Sequence, residues 1–184
     1  LGNTQPDWLA GVTNNISFKG ISLSALIDFR MGGEIYSWSR VDQNAKGTGV
    51  WTNNRDNLIV EGVIDNQDGT YTPTSQTVTS QNRFAQLSWG NIGEEFVLDA
   101  SYISLREVTL GYSFNQSLLS KTPFRTAKFS VVGRNLMYLH RDAKFEEMGI
   151  APETAFSPNA AAQGFEAFSM PTTRSIGFNL SLTF

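Results

Sequence analysis

Period-two alternation, held over stretches of about ten residues, constrains this chain most. The closing stretch SIGFNLSLTF (175–184) shows it without a break: Ile176, Phe178, Leu180, Leu182 and Phe184 alternate with Ser175, Gly177, Asn179, Ser181 and Thr183. Side chains in a strand point alternately to its two faces, so such a stretch has one apolar and one polar face. Four more segments share the pattern, at 9–18, 21–31, 103–114 and 128–136. Ala10, Val12, Ile16 and Phe18 share a face in the first, with Asn14 as the exception. Ile21, Leu23, Ala25, Ile27, Phe29 and Met31 share one in the second, Val108, Leu110, Tyr112 and Phe114 in the third, and Phe129, Val131 and Gly133 in the fourth. None of these positions is charged. The opposite faces carry Asp28, Arg30, Glu107, Lys128 and Arg134. Only Lys19-Gly20 separates the first two segments, the length of a tight hairpin loop.

A charge-free face fits the inside of a soluble sandwich or the outside of a membrane barrel, where a charge costs about 2–4 kcal/mol at mid-bilayer. The polar faces separate the two. Ser, Gly, Asn and Thr dominate them, the small polar set of a crowded wet interior, where a sandwich exterior carries many Lys and Glu. Strands of about ten residues match a tilted transmembrane strand; soluble strands average about 5–6. Phe18, Phe29, Tyr112, Phe114 and Phe184 gather near strand ends, as an aromatic girdle requires. The connections alternate short and long, with long ones at 32–101 and 137–174. That is the rhythm of short periplasmic turns and long extracellular loops. The expectation is an all-β, antiparallel barrel segment of about five long strands.

Composition excludes several classes. Net charge is −3 and charged residues make up 17%, so nucleic acid, which needs a basic face, is not an expected partner. No cysteine is present, which removes disulfides and thiolate metal sites. A mean hydropathy of −0.22 looks soluble, as barrels do, because only alternate strand residues meet lipid. The chain starts at Leu1 without a Met, as expected of a mature product or a piece of a longer protein.

Five motifs resemble the SusC/RagA-type TonB-dependent outer-membrane transporters. GNTQPDW (2–8) resembles the GNPxPDW-like opening of their last barrel segment, and DFRMGGEIYSW (28–38) their strand with a Gly-Gly turn. DASYISLREVTLGYSF (99–114) is similar to the family's DASYVRLREVTLGYSLP, with Ser104 where Arg is usual and Asn115 where Pro is usual. VVGRNLMYL (131–139) and MPTTRSIGFNLSLTF (170–184) resemble the GRNL strand end and the closing strand. The resemblance implies a 22-stranded barrel closed by an N-terminal plug, in the outer membrane of a Gram-negative bacterium. It implies a SusD-like surface lipoprotein as lid, energy from the TonB complex through a part outside this chain, and oligosaccharide or peptide cargo. Strands one, three and five would run inward. Phe184 would be the assembly signal at the last strand's end, besides meeting outer-membrane lipid.

No catalytic residue is expected. The single histidine, His140 in LHRDAK, has no positioned nucleophile beside it. HExxH, P-loop and dinucleotide fingerprints are missing, and no metal or cofactor is expected. DNQDG (65–69) lacks the remaining ligands of a calcium loop and reads as the turn of a hairpin, 58–64 with 70–74. The long connection 32–101 holds nine acids against four bases, and Tyr36, Trp38, Trp51, Tyr71 and Trp89. These aromatics are candidates for contact with cargo or lid; the plainer reading gives the loop a small core of its own. Asp28, Arg30, Glu107, Lys128 and Arg134 should face the lumen, anchoring a plug or pairing across the wall. Short helical turns are expected at 117–121 and 159–168. The alternative function is a soluble all-β carbohydrate-binding module using the loop tryptophans. A hydrolase has no carboxylate pair or triad to support it.

Overall fold

A computed structural model describes residues 2–89, 92–154, 156, 159 and 162–184. Five long strands make one antiparallel sheet: β1 (Trp8–Phe18), β2 (Ile21–Met31), β7 (Tyr102–Ser113), β8 (Thr126–Arg141) and β10 (Ser175–Thr183), hydrogen-bonded in that order. The β1–β2 turn is two residues, with Lys19 at φ 46° and Gly20 at φ 87°. Two positive φ values give the hairpin turn whose twist suits the flanking strands. At Gly20 a Cβ would stand 2.8 Å from the Ser113 carbonyl oxygen, so glycine is required there for space as well as for φ.

The ladder registers fix the faces. Ile16, Leu23, Leu110, Val131 and Phe178 form one row across all five strands. Phe18, Ile21, Tyr112, Phe129 and Leu180 form the next. Ser17, Ser22, Gly111, Ser130 and Asn179 form a row of the other face. Among the described residues no second sheet covers the apolar rows: Ile16 is 58% exposed, Leu110 52%, Leu180 60% and Phe178 73%. A soluble sandwich would bury them, at about 1.5–3 kcal/mol per large side chain.

The connections are more ordered than the strand pattern alone implies. Segment 32–101 holds β3 (Glu34–Ser37), α1 (Trp38–Lys46), the hairpin β4 (Leu58–Asp65) and β5 (Tyr71–Val78), α2 (Ser80–Trp89) and β6 (Val97–Asp99). After β8 come α4 (Ala143–Met148) and β9 (Phe165–Glu166); the short β7–β8 link holds α3 (Gln116–Leu119). One expectation is corrected. The fourth long strand runs on to Arg141, so the second long connection starts at 142 rather than 137. Irregular steps beside Asn135, at φ 51°, let pairing with β7 resume beyond the break. The short helical turn expected in 159–168 is seen at its start, where the Ala162 amide donates to the Asn159 carbonyl at 2.9 Å, and strand β9 follows, with Phe165 and Glu166 paired in parallel with Tyr36 and Ser37.

The apolar core sits in this cap, not under the sheet. Ile35, Leu98, Ala100, Phe145 and Ile150 are buried together with Met148 against them; they come from both long connections. Glu166, fully buried, clasps the two. It accepts hydrogen bonds from the Ser37 and Ser39 hydroxyls, both 2.6 Å, and from the Ser169 amide. Arg40 reaches across to Glu147 at 2.9 Å. Replacing Glu166 by Ala leaves two buried hydroxyls to find new partners, at a cost of about 1–2 kcal/mol. Faster amide hydrogen exchange at β3 and β9, with the β8–β10 ladder unchanged, is the expected readout.

Candidate functional site

A β-bulge builds the densest polar cluster. Across β2 and β7, Leu26 pairs with Glu107 but Ile27 pairs with Leu105, so Arg106 is the extra residue. Strict alternation would put Arg106 on the apolar side with Val108. The extra residue shifts the parity: Ile103 and Leu105 continue the apolar rows opposite Phe29 and Ile27, and Tyr102 and Ser104 stand opposite Arg30 and Asp28. Arg106 joins the polar face instead. Its Nε donates to Asp28 at 3.0 Å, Nη1 to Glu153 at 2.6 Å and Nη2 to the Tyr102 hydroxyl at 2.9 Å. Tyr102 donates to Asp28 at 3.0 Å and Tyr138 to Glu153 at 2.8 Å. The two tyrosine rings meet edge to face, 5.9 Å apart. Arg106, Asp28 and Glu153 are each about a quarter exposed. Because Glu153 belongs to the second long connection, the cluster fastens the cap to the sheet. Beside it is a cavity of about 600 Å³ lined by Arg106, Tyr138, His140, Arg141, Glu146 and Arg174 among others.

The five charges expected on one face do share it by register. Their partners differ. Glu107 accepts from Arg134 at 2.8 Å, Arg30 donates to the Thr4 carbonyl at 3.1 Å, and Lys128 stands between Ser113 and Ser181. The aromatics are not gathered into one site. Tyr36 stacks on Phe165 at 5.9 Å. Trp51 donates its indole N–H to Asn44, with the Arg40 guanidinium 3.8 Å above its ring. Trp38 starts α1 and is 36% exposed; Tyr71 is 63% exposed on the hairpin. The Trp89 side chain lies outside the described residues. Phe184 is exposed and packs against Phe124, ring centroids 5.2 Å apart. The DNQDG turn closes on itself: Thr70 donates twice to Asp68, and these bonds hold the Asp68 carboxyl below its usual range. No group of three or more His, Cys, Asp or Glu able to hold a metal occurs among the described residues. Arg106 and Glu153 were missed by the sequence reading.

TonB-dependent receptor P39 of Formosa agariphila is 25% identical over an alignment of 187 residues, covering 100% of this chain. TonB-dependent receptor P3 of the same organism is 26% identical over 137 residues and 74% of this chain. The solved structure of the RagAB peptide importer in its closed-closed state superimposes with a TM-score of 0.64 over 98% of this chain. In sequence the chain is similar to these TonB-dependent receptors and in fold to the RagAB importer, and together these findings support the resemblance to SusC/RagA-type transporters. The open-open state of the same importer gives a TM-score of 0.59. At 17% and 16% identity these two structures speak for the fold alone. No family model matches the chain. It spans 17% of P39, 12% of P3 and 18% of the closed-closed importer chain. The mostly-β antiparallel sheet is the part of the fold that the chain has in common with the importer structures.

Proposed function

We propose that this chain supplies barrel wall and two extracellular connections to an outer-membrane nutrient importer of a Gram-negative bacterium. The sheet is one arc of a transmembrane barrel, its apolar rows toward lipid and its polar rows toward the lumen. The bare, charge-free apolar face carries this reading, since lipid is the solvent that such a face requires. Asp28, Arg30, Glu107, Lys128 and Arg134 line the lumen. There the Glu107–Arg134 pair is matched within the wall, and Lys128 is placed to meet a plug. The cap built on β3, β6 and β9 forms the outer rim. Cargo, an oligosaccharide or a peptide, binds under a SusD-like surface lipoprotein, and TonB energy acts through the rest of the protein. Trp38, Trp51, Trp89, Tyr36 and Tyr71 are rim aromatics for cargo or lid; Tyr36 and Trp51, held by cap partners, shape the surface. Phe184 marks the end of the closing strand for assembly.

The test is uptake. Cells lacking the parent protein should lose import of a labelled peptide or oligosaccharide, regain it with the wild-type parent, and lose it again without TonB. Unaltered import of both cargo classes would contradict the proposal.

A further inference from the structure

Residues 3–6, which lead into β1, lie as a strap against the cap. The Asn3 carbonyl accepts from the Glu34 amide at 2.8 Å, and the Asn3 amide donates back to the Glu34 carboxylate at 3.1 Å. Gln5 donates its side-chain amide to Gln163 at 3.0 Å. Arg30 of β2 donates to the Thr4 carbonyl at 3.1 Å. One short segment thus joins the first long connection, the second and the sheet. Two left-handed glycines, one from each connection, make its slot. A Cβ on Gly33, at φ 88°, would stand 3.1 Å from the Thr4 carbonyl oxygen. One on Gly164, at φ 78°, would stand 2.8 Å from the Thr4 Cβ. Glycine alone permits so close an approach in that conformation.

The fastening is shallow in three respects. Asn3, Thr4, Gln5 and Pro6 bring no large apolar side chain, and the side-chain bonds to Glu34 and Gln163 are solvent-exposed. Pro6 has no N–H, so the ladder with β2, which reaches the Asp7 amide on the Met31 carbonyl at 2.9 Å, stops there. With the strap in place, the Arg30 Nε is buried without a hydrogen-bond partner among the described residues, a penalty that opening would lift. The core of Ile35, Leu98, Ala100, Phe145 and Ile150 includes no strap residue, and neither does the Arg106 cluster. Both therefore outlast the strap's departure. We propose that residues 3–6 are a releasable strap. Closed, it locks both long connections to the β1–β2 end of the sheet. Open, it leaves the cap folded and tied to the sheet through Arg106, but free to shift at Glu34 and Gln163. A cavity of about 400 Å³ bordered by Thr4, Gln5, Glu153 and Gln163 gives the segment room to move. The strap's place at the outer mouth rests on the importer reading above; its release rests on contacts within this chain.

The test is hydrogen exchange on the full-length parent in detergent, read residue by residue. In the wild type the Asn3 and Glu34 amides should exchange at one common rate. That rate should be about tenfold or more above that of the Tyr36 amide, which is bound to the Gly164 carbonyl inside the cap at 2.8 Å. Gly164→Ala crowds Thr4 and is expected to raise the common rate a further tenfold or so. Gly149→Ala is the matched control. It sets alanine at φ 71° in the same connection, with nothing within 4 Å of its Cβ, and should leave the Asn3 and Glu34 rates unchanged. If Glu34 exchanges no faster than Tyr36 in the wild type, the strap opens only with the cap and the proposal fails. That comparison needs no variant to fold. If Gly164→Ala speeds Asn3 and Glu34 no more than Gly149→Ala does, the slot does not hold the strap, and the proposal fails as well. Neither outcome touches the importer reading, which the uptake experiment decides.

Discussion

Arginine in place of Leu180 is expected to abolish assembly of the parent protein in the outer membrane. Leu180 lies mid-strand in β10, opposite Phe129 and 60% exposed. On a lipid face the charge costs about 2–4 kcal/mol near mid-bilayer. The closing strand leaves little room for relief, since Phe129, its neighbour in the row, is large and apolar. Arginine at Ser181, one residue on and paired with Lys128 on the polar face, is the matched control. It faces water and should assemble, with at most a small loss from like charge. Membrane fractionation with heat-modifiability on gels reads both. Equal abundance for the two variants would contradict the assignment of faces. So would a Leu180→Arg protein that is made but unfolded in every compartment while the Ser181→Arg protein is unfolded too.

Removing Arg106 should release the cap from the sheet. In Arg106→Ala, Asp28 and Glu153 lose the cation they share, and the Tyr102 hydroxyl loses a donor. Breaking fully buried pairs costs about 3–5 kcal/mol. Partial exposure lowers this to about 2–3 kcal/mol. The amides of 142–154 should then exchange about 30–100-fold faster, and those of the β8–β10 ladder at their original rate. Arg106→Lys should recover only part, because one ammonium cannot reproduce a fork with three acceptors. Unchanged exchange in 142–154 would show that the cap is held by its own core, through Phe145 and Ile150, and not by the cluster.

These two residues mark what the sequence discloses and what it withholds. Leu180 is legible because its strand alternates cleanly for nine residues, and a period of two needs no knowledge of partners. The Lys19-Gly20 turn and the DNQDG hairpin are legible for a similar reason: turn chemistry is local. Arg106 is hidden, since a bulge inserts one residue and reverses the parity, and only the pairing partners show where. The short helices left weak but readable traces. Ser37 caps α1 by accepting from the Arg40 amide, and Gly47 ends it in the left-handed conformation. Asp142 and Gly149 do the same for α4. A capping residue followed several positions later by glycine is a sequence signal, here masked by the expectation of long irregular loops. The β3–β9 pairing left none. It joins two residues of β9 to a strand 129 positions away at Ser37 and Glu166, and no local pattern encodes that. The cap core has the same cause, because Ile35 meets Phe145 only after both connections fold over the sheet.

The central claim is that hydrocarbon wets one side of β10 and water the other. The chain has no cysteine, so single cysteines can be placed at 176 through 182 of the parent, provided its remaining sequence is also cysteine-free or made so. Each is spin-labelled in bilayers, and its collision rates with oxygen and with a water-soluble nickel chelate are compared. Positions 176, 178, 180 and 182 should be reached by oxygen and positions 177, 179 and 181 by the chelate, in strict alternation. An apolar series shielded from both reagents, or both series reached equally by the chelate, would contradict it.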